Sequence, residues 1–275
     1  MIRRSGPFLL AVVLLAACGG GGTASQAAPA QSTPAASGGP VSLTIFAAAS
    51  LNGAMTDAVA AYAAVRPGVT ITVSTDSSAA LETQIEQGAP ADVFLSADIE
   101  NPKKLVDAGL ALKTAEIFAG NKLVIIVPSD NPGGLTTARE LDKAGLRIIA
   151  AGDGVPITAY ANQAVANIAS RFGPSSLVEV YNADIVSKED NVKAVLAKIE
   201  LGEGDAAIVY VTDANGSDKV KTIDIPDSAN VPATYAGVVI KASANRDAAQ
   251  DFLDWFAGPD GQAILAKYGF LPPPA

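Results

Sequence analysis

The sequence predicts an α/β fold built as two α/β domains, and three observations carry that expectation. From Val41 onward, short apolar runs alternate with stretches of helical periodicity. The alternation begins again after Pro128, giving two βαβ series of similar size. Ala, Val and Gly dominate while aromatic residues make up only 5%, which suits helices pressed closely onto sheets. With 275 residues, 49% hydrophobic and 17% charged, the chain can form one large or two medium domains.

In the first series "VSLTIFA" reads as a strand, and "LNGAMTDAVAAYAAV" places Leu51, Met55, Val59 and Tyr62 on one helical face. "VTITVS" alternates, with Val69, Ile71 and Val73 facing one way; "LETQIEQG" is a short helix closed by Gly88. "ADVFLSA" is the next strand, and "NPKKLVDAG" carries Pro102 at a helix start. "KLVIIVP" is a continuous apolar run of the kind buried on both faces. The second series predicts a strand at "LRIIAAG", a helix from about Ile157 to Arg171, and a strand at "SLVEVY". It continues with a helix from Asn191 to Glu200 and a strand at "AAIVYV". Val192, Val195, Leu196 and Ile199 form an i, i+3, i+4, i+7 stripe. "TYAGVVI" is a late strand, followed by the amphipathic "RDAAQDFLDWFAG" and by "PDGQAILAKYGF".

The first forty residues read as an address. Arg3 and Arg4 precede an apolar run from Phe8 to Ala17, too short to span a bilayer, and small residues precede Cys18. Residues 1–17 are therefore expected to be a leader. "LAAC" resembles a bacterial lipobox, which makes Cys18 the expected lipid anchor and new N-terminus. Cleavage there removes two of the 19 basic residues and none of the 28 acidic ones, so the net charge passes from -9 to -11. Residues 18–40 then form an uncharged Gly/Ala/Ser/Pro tether that cannot offset its ordering entropy by burial; its reach as a coil is roughly 25 Å.

Composition excludes several chemistries. There is no histidine, and Cys18 is the single cysteine, so imidazole or thiolate metal sites and Ser-His or Cys-His nucleophile pairs are absent. No G-x-S-x-G elbow, S-x-x-K or P-loop occurs, which leaves a serine enzyme built on Ser50 without a base. The acidic balance argues against nucleic acid.

The strand-to-helix junctions share one character: Ala48-Ala49-Ser50, "TDSSAAL" with Ser77 and Ser78, Ala97 after "VFLS", Val155-Pro156-Ile157-Thr158, and Asp190-Asn191. Each sets small or hydroxyl side chains beside helix-start N–H groups that lack internal partners and carry the positive end of the dipole. Such ends are either ordinary caps or an anion site that needs no Lys or Arg. Tyr210 ends "AIVY" and reads as a core or rim tyrosine by default.

"TIFAAASLNGAM", "SSAALETQIEQGAPADVFLSAD", "NVKAVLAKIELGEGDAAIVYVTDA" and "GPDGQAILAKYGF" together resemble the molybdate-binding proteins of bacterial ABC transporters, over most of residues 42–270. The resemblance implies a two-lobed periplasmic binding protein of type II, with crossover strands near Lys122–Val127 and Tyr235–Ile240. One lobe would hold 41–122 and 237–275, the other 123–236. It also implies that Ser50 and Ser78 contact an oxyanion through hydroxyl and N–H. Ser78 is preferred to Ser77 because it precedes Leu81 by three. Ile157 and Val192 would give backbone N–H groups and Tyr210 its phenol, with Ala48 and Ala97 lining the pocket. Pro156-Ile157-Thr158 departs from the family's Pro-Ala-Gly-type turn, which bears on pocket size. The expected ligand is molybdate or tungstate, with no cofactor. The expected partner is an ABC permease, served by a monomeric, extracytoplasmic, membrane-anchored lipoprotein. A receptor for another tetrahedral oxyanion such as sulfate, or a serine-based enzyme, is the alternative.

Overall fold

The computed structural model describes residues 40–274, so the expected leader, the Cys18 anchor and the tether to residue 39 lie outside the described residues. The first series runs β1 (Val41–Ala48), a 3-10 turn (Ala49–Leu51), α1 (Asn52–Val65), β2 (Val69–Asp76), α2 (Ser78–Glu86), β3 (Val93–Ser96), α3 (Glu100–Asp107) and β4 (Glu116–Asn121). The second runs β5 (Leu123–Pro128), a 3-10 turn (Ala138–Asp142), β6 (Ile148–Ala151), α4 (Pro156–Arg171), α5 (Leu177–Ala183), β7 (Ile185–Glu189), α6 (Val192–Glu200), β8 (Ala206–Tyr210), α7 (Val211–Asn215) and β9 (Val220–Asp224). The chain closes with β10 (Ala233–Val239), α8 (Arg246–Ala257) and α9 (Pro259–Lys267).

The strands form two five-stranded sheets, ordered β2-β1-β3-β10-β4 and β7-β6-β8-β5-β9. Each has the same plan. Three parallel strands sit on one side (β2, β1, β3 and β7, β6, β8), and the fourth strand runs antiparallel to the third. Each series therefore points the C-terminal ends of three strands the same way, which is where open α/β sheets bind ligands.

Local physics accounts for the strongest elements. All six residues of β5 are buried, as a both-face apolar run requires. The stripe Val192, Val195, Leu196 and Ile199 is the buried face of α6. Leu51, Met55 and Tyr62 turn into the core, with Tyr62 edge-on to Phe252 of α8 at 5.1 Å. β2 alternates half-buried and exposed residues along an edge, and Gly88 follows α2 with φ +90°, the left-handed conformation glycine supplies.

Two expectations need correction. "SLVEVY" is not a strand but lies in α5, because its buried residues Leu177 and Tyr181 are four apart, a helical rather than an alternating spacing. The strand follows at β7, whose inward positions Ile185, Ser187 and Glu189 include two polar residues and so conceal its period. The first crossing lies within the expected segment but is shorter, and the second is displaced. The first is Lys122 alone, between β4 of one sheet and β5 of the other. The second is residues 225–232, between β9 and β10, so Tyr235–Ile240 lies in the first sheet's strand and its end rather than between lobes. A buried apolar run looks alike on either side of a crossing; pairing of β10 with β3 and β4 decides its sheet. Asn230 ties the two crossings together, its amide bonding both the N–H and the C=O of Leu123 at 3.1 and 2.8 Å.

Candidate functional site

The structure brings all seven residues singled out by sequence onto one cleft. Ala48, Ser50, Ser78 and Ala97 come from the first sheet's strand ends, and Ile157, Val192 and Tyr210 from the second's. Ala49, Ser77, Val155, Pro156 and Asn191 complete the lining, and none of the twelve is charged. The space between the twelve residues, open solvent at its mouth included, is ≈ 210 Å³.

The caps decide which donors are left over. At α2, Ser77 is the N-cap: its Oγ accepts from the Ala80 N–H at 3.3 Å and its C=O from the Leu81 N–H. Ser78 and Ala79 keep N–H groups without intrahelical partners. At α6, Asn191 Oδ1 accepts from the N–H groups of Lys193 and Ala194, both at 3.1 Å, and its C=O accepts from Val195. Only Val192 is then left over. At α4 the first residue is Pro156, with no N–H to give, and Val155 C=O takes the Thr158 N–H at 2.9 Å. That leaves Ile157. Thr158 Oγ1 donates to the C=O of Ala151 and Gly152 at 3.0 and 2.8 Å, so this hydroxyl turns onto its own strand end and takes no part in the cleft lining.

The hydroxyls are held from behind. Ser50 does not cap its helix; neither the 3-10 turn nor α1 has a side-chain cap, and Ser50 Oγ instead meets Tyr235 Oη at 2.8 Å. Ser78 Oγ accepts from the Ala97 N–H at 3.0 Å, which leaves its proton free to donate. Ala97 thus holds Ser78, its own N–H being spent. Tyr210 is 1% exposed and sits edge-on between Tyr235 and Tyr160, at 5.7 and 6.4 Å, yet its Oη has no hydrogen-bond partner among the described residues. Burial, aided by the neighbouring tyrosines and Asp213, pushes its pKa well above the ordinary phenol value, so it stays a proton donor.

Two acidic side chains lie close behind the cleft. Asp76 Oδ1 accepts from the Ser77 N–H at 2.7 Å and from Asn191 Nδ2 at 3.1 Å, a bond that joins the two lobes across the cleft rim. Asp213, fully buried in α7, faces Lys193 Nζ at 2.9 Å as an ion pair, although neither of its oxygens has a well-aligned hydrogen bond among the described residues. Sequence reasoning passed over Tyr235, Asn121 and Asp76 as supports of this site, because nothing local marks a residue that acts through a partner far along the chain. The arrangement can bind a small anion through neutral donors. It offers no nucleophile–base pair, and among the described residues no cluster of acidic, histidine or cysteine side chains could hold a metal ion.

A family model described as "Bacterial extracellular solute-binding protein" matches residues 43–271. The chain is 33% identical to the molybdate-binding protein ModA of Mycobacterium tuberculosis over 246 residues, 89% of this chain and 90% of that one. It is also 33% identical over 232 residues to a putative ABC transporter substrate-binding lipoprotein of Bacillus subtilis, 84% of this chain and 86% of that one. Among solved structures, the periplasmic molybdate-binding protein of Azotobacter vinelandii superposes with a TM-score of 0.72 at 25% identity, covering 84% of this chain and 100% of that one. These relatives are transport components and not enzymes. With its two-lobed α/β fold and a family match across almost all of the described residues, the chain belongs to the bacterial extracellular solute-binding proteins.

Proposed function

We propose that the protein captures molybdate, and also tungstate, in the cleft between its lobes and delivers it to an ABC permease. The observation that carries this reading is the donor set. Tyr210 Oη, buried and without a partner among the described residues, shares the cleft lining with Ser78, Ile157 and Val192 and their leftover N–H groups, and no cation is among the twelve lining residues. The named activities of the relatives in Mycobacterium and Azotobacter support the same assignment.

In this reading Ser50 and Ser78 give hydroxyl and N–H, Ile157 and Val192 their N–H, and Tyr210 its phenol. Ala48 and Ala97 line the wall. Hydrogen bonds to a charged group contribute about 1.5–3 kcal/mol each, so six or seven offset the dehydration of a small dianion in a chain whose global charge repels it. Donors from both lobes reach the ligand only when the lobes are together, so the ligand favours the closed state by its differential contacts. Closure then reports occupancy to the permease. Monohydrogen phosphate is rejected because its own O–H would face donors. Two further parts of the reading concern the N-terminus: Cys18 carries a lipid and residues 18–40 tether the domain to the membrane. The lipoprotein relative in Bacillus subtilis supports that part.

The test is isothermal calorimetry of the purified protein with molybdate, tungstate, sulfate and phosphate. Tight binding of the first two with weak binding of sulfate is expected. Equal binding of sulfate would keep an oxyanion receptor and remove the molybdate assignment. Failure of all four would overturn the proposal.

A further inference from the structure

We propose that Asn121 is a positioning residue that sets the direction of a hydrogen-bond chain through Tyr235 to Ser50, so that the Ser50 hydroxyl presents its proton to the cleft. The proposal rests on the oxyanion reading above and adds to it a source of selectivity outside the contacting residues.

The direction follows from donors that cannot reverse. Asn121 is fully buried at the end of β4, next to the crossing residue Lys122. The backbone N–H of Lys122 points at one end of the Asn121 amide at 2.9 Å, and because an N–H only donates, that end is the carbonyl oxygen. The other end is therefore the NH₂ group, with two protons to place. One goes to Thr212 Oγ1 at 2.9 Å, on the second lobe's α7, and the other to Tyr235 Oη at 3.4 Å. Tyr235 is 0% exposed, and its oxygen has two neighbours, Asn121 and Ser50. It accepts from the first, so its single proton belongs on Ser50 Oγ at 2.8 Å; leaving a buried O–H unplaced is costly. Ser50 Oγ, having accepted, keeps its own proton for the cleft it lines. Burial holds the Tyr235 pKa well above the ordinary phenol value, so the relay keeps its protons at physiological pH. An anion with only acceptor oxygens fits a one-way donor at Ser50. An anion that turns its own O–H towards Ser50 meets that proton first.

The test compares Asn121→Asp and Tyr235→Phe with the unaltered protein, measuring molybdate affinity directly and monohydrogen phosphate by displacement of molybdate at pH 8. A carboxylate at position 121 has only acceptors, so Tyr235 turns its O–H to donate to it. Tyr235 then accepts from Ser50, and Ser50 turns a lone pair to the cleft. The added charge weakens both dianions alike, so the ratio of their affinities reports direction. That ratio should move towards phosphate by roughly tenfold or more in Asn121→Asp, the worth of one charge-assisted hydrogen bond. Tyr235→Phe, which adds no charge, frees Ser50 to rotate and should shift the ratio the same way by a smaller factor. Thermal unfolding of each variant identifies any that fails to fold. An unchanged ratio in both, with molybdate still bound by the unaltered protein, would overturn the relay alone and leave Asn121 a structural tie between β4 and α7. No molybdate binding by the unaltered protein would overturn the oxyanion reading itself.

Discussion

Replacing Tyr210 with Phe separates a ligand contact from a structural hydroxyl, because the two roles predict opposite effects on the protein without ligand. Tyr210 Oη is buried with no partner among the described residues, while its ring packs between Tyr160 and Tyr235. Phe keeps the ring and its edge-on contacts. A buried polar group without a partner costs about 1–3 kcal/mol, so its removal should leave the ligand-free protein no less stable and raise its melting point by up to about 2–4 °C per kcal/mol. The same change removes one charge-assisted donor to the oxyanion, about 1.5–3 kcal/mol, which is a loss of roughly 10- to 100-fold in affinity. Thermal unfolding without ligand and calorimetry with molybdate read the two effects separately. Lower stability together with unchanged affinity would refute the reasoning, since it would mean that the hydroxyl serves the fold and not the ligand.

Other substitutions probe other parts of the site. Ser50→Ala should weaken molybdate binding by roughly tenfold or more, checked by the same titration. Val192→Pro isolates a backbone donor. Pro is tolerated at the first helical position, and Asn191 before it already has extended backbone (φ -157°, ψ 170°). The helical content seen by circular dichroism should therefore hold while affinity falls roughly tenfold. Asn191→Ala removes both the α6 cap and the Asp76 bond across the rim, costing about 1 kcal/mol of stability in urea unfolding and also weakening binding. Lys193→Met acts on the buried Asp213, whose carboxyl burial raises above its ordinary value while Lys193 pulls it back. A carboxyl with a higher pKa folded than unfolded favours the fold while protonated, and that contribution is lost as pH rises from about 3.8 through the folded value. Without Lys193 the loss deepens, so the variant's deficit should be small near pH 4 and grow to about 2–3 kcal/mol near pH 7. That is below the usual cost of breaking a fully buried pair, because Lys193 is partly exposed. Urea unfolding across that range checks it; a deficit independent of pH would contradict the assignment.

Much of this protein is legible in its sequence where one segment carries its own reason. The unbroken apolar run of β5, bounded by Pro128, and the i, i+3, i+4, i+7 stripe from Val192 to Ile199 announce their elements within one segment. The leftover donors at Ser78, Ile157 and Val192 are equally local, since a helix start lacks partners whatever surrounds it and the nearby cap residues decide which N–H groups remain. "SLVEVY" marks the limit. Six residues that satisfy both a strand and a helix pattern are settled by what Leu177 and Tyr181 pack against. The position of the second crossing was likewise decided by which strands β10 pairs with. Tertiary structure alone decided that the strand ends of two series meet on one cleft, and which way its hydroxyls point. Ser50 is turned by Tyr235, 185 residues away, and Tyr235 in turn by Asn121. A backbone N–H has one proton fixed by the chain's own path, whereas a hydroxyl rotates, and the neighbours that orient it are chosen by folding.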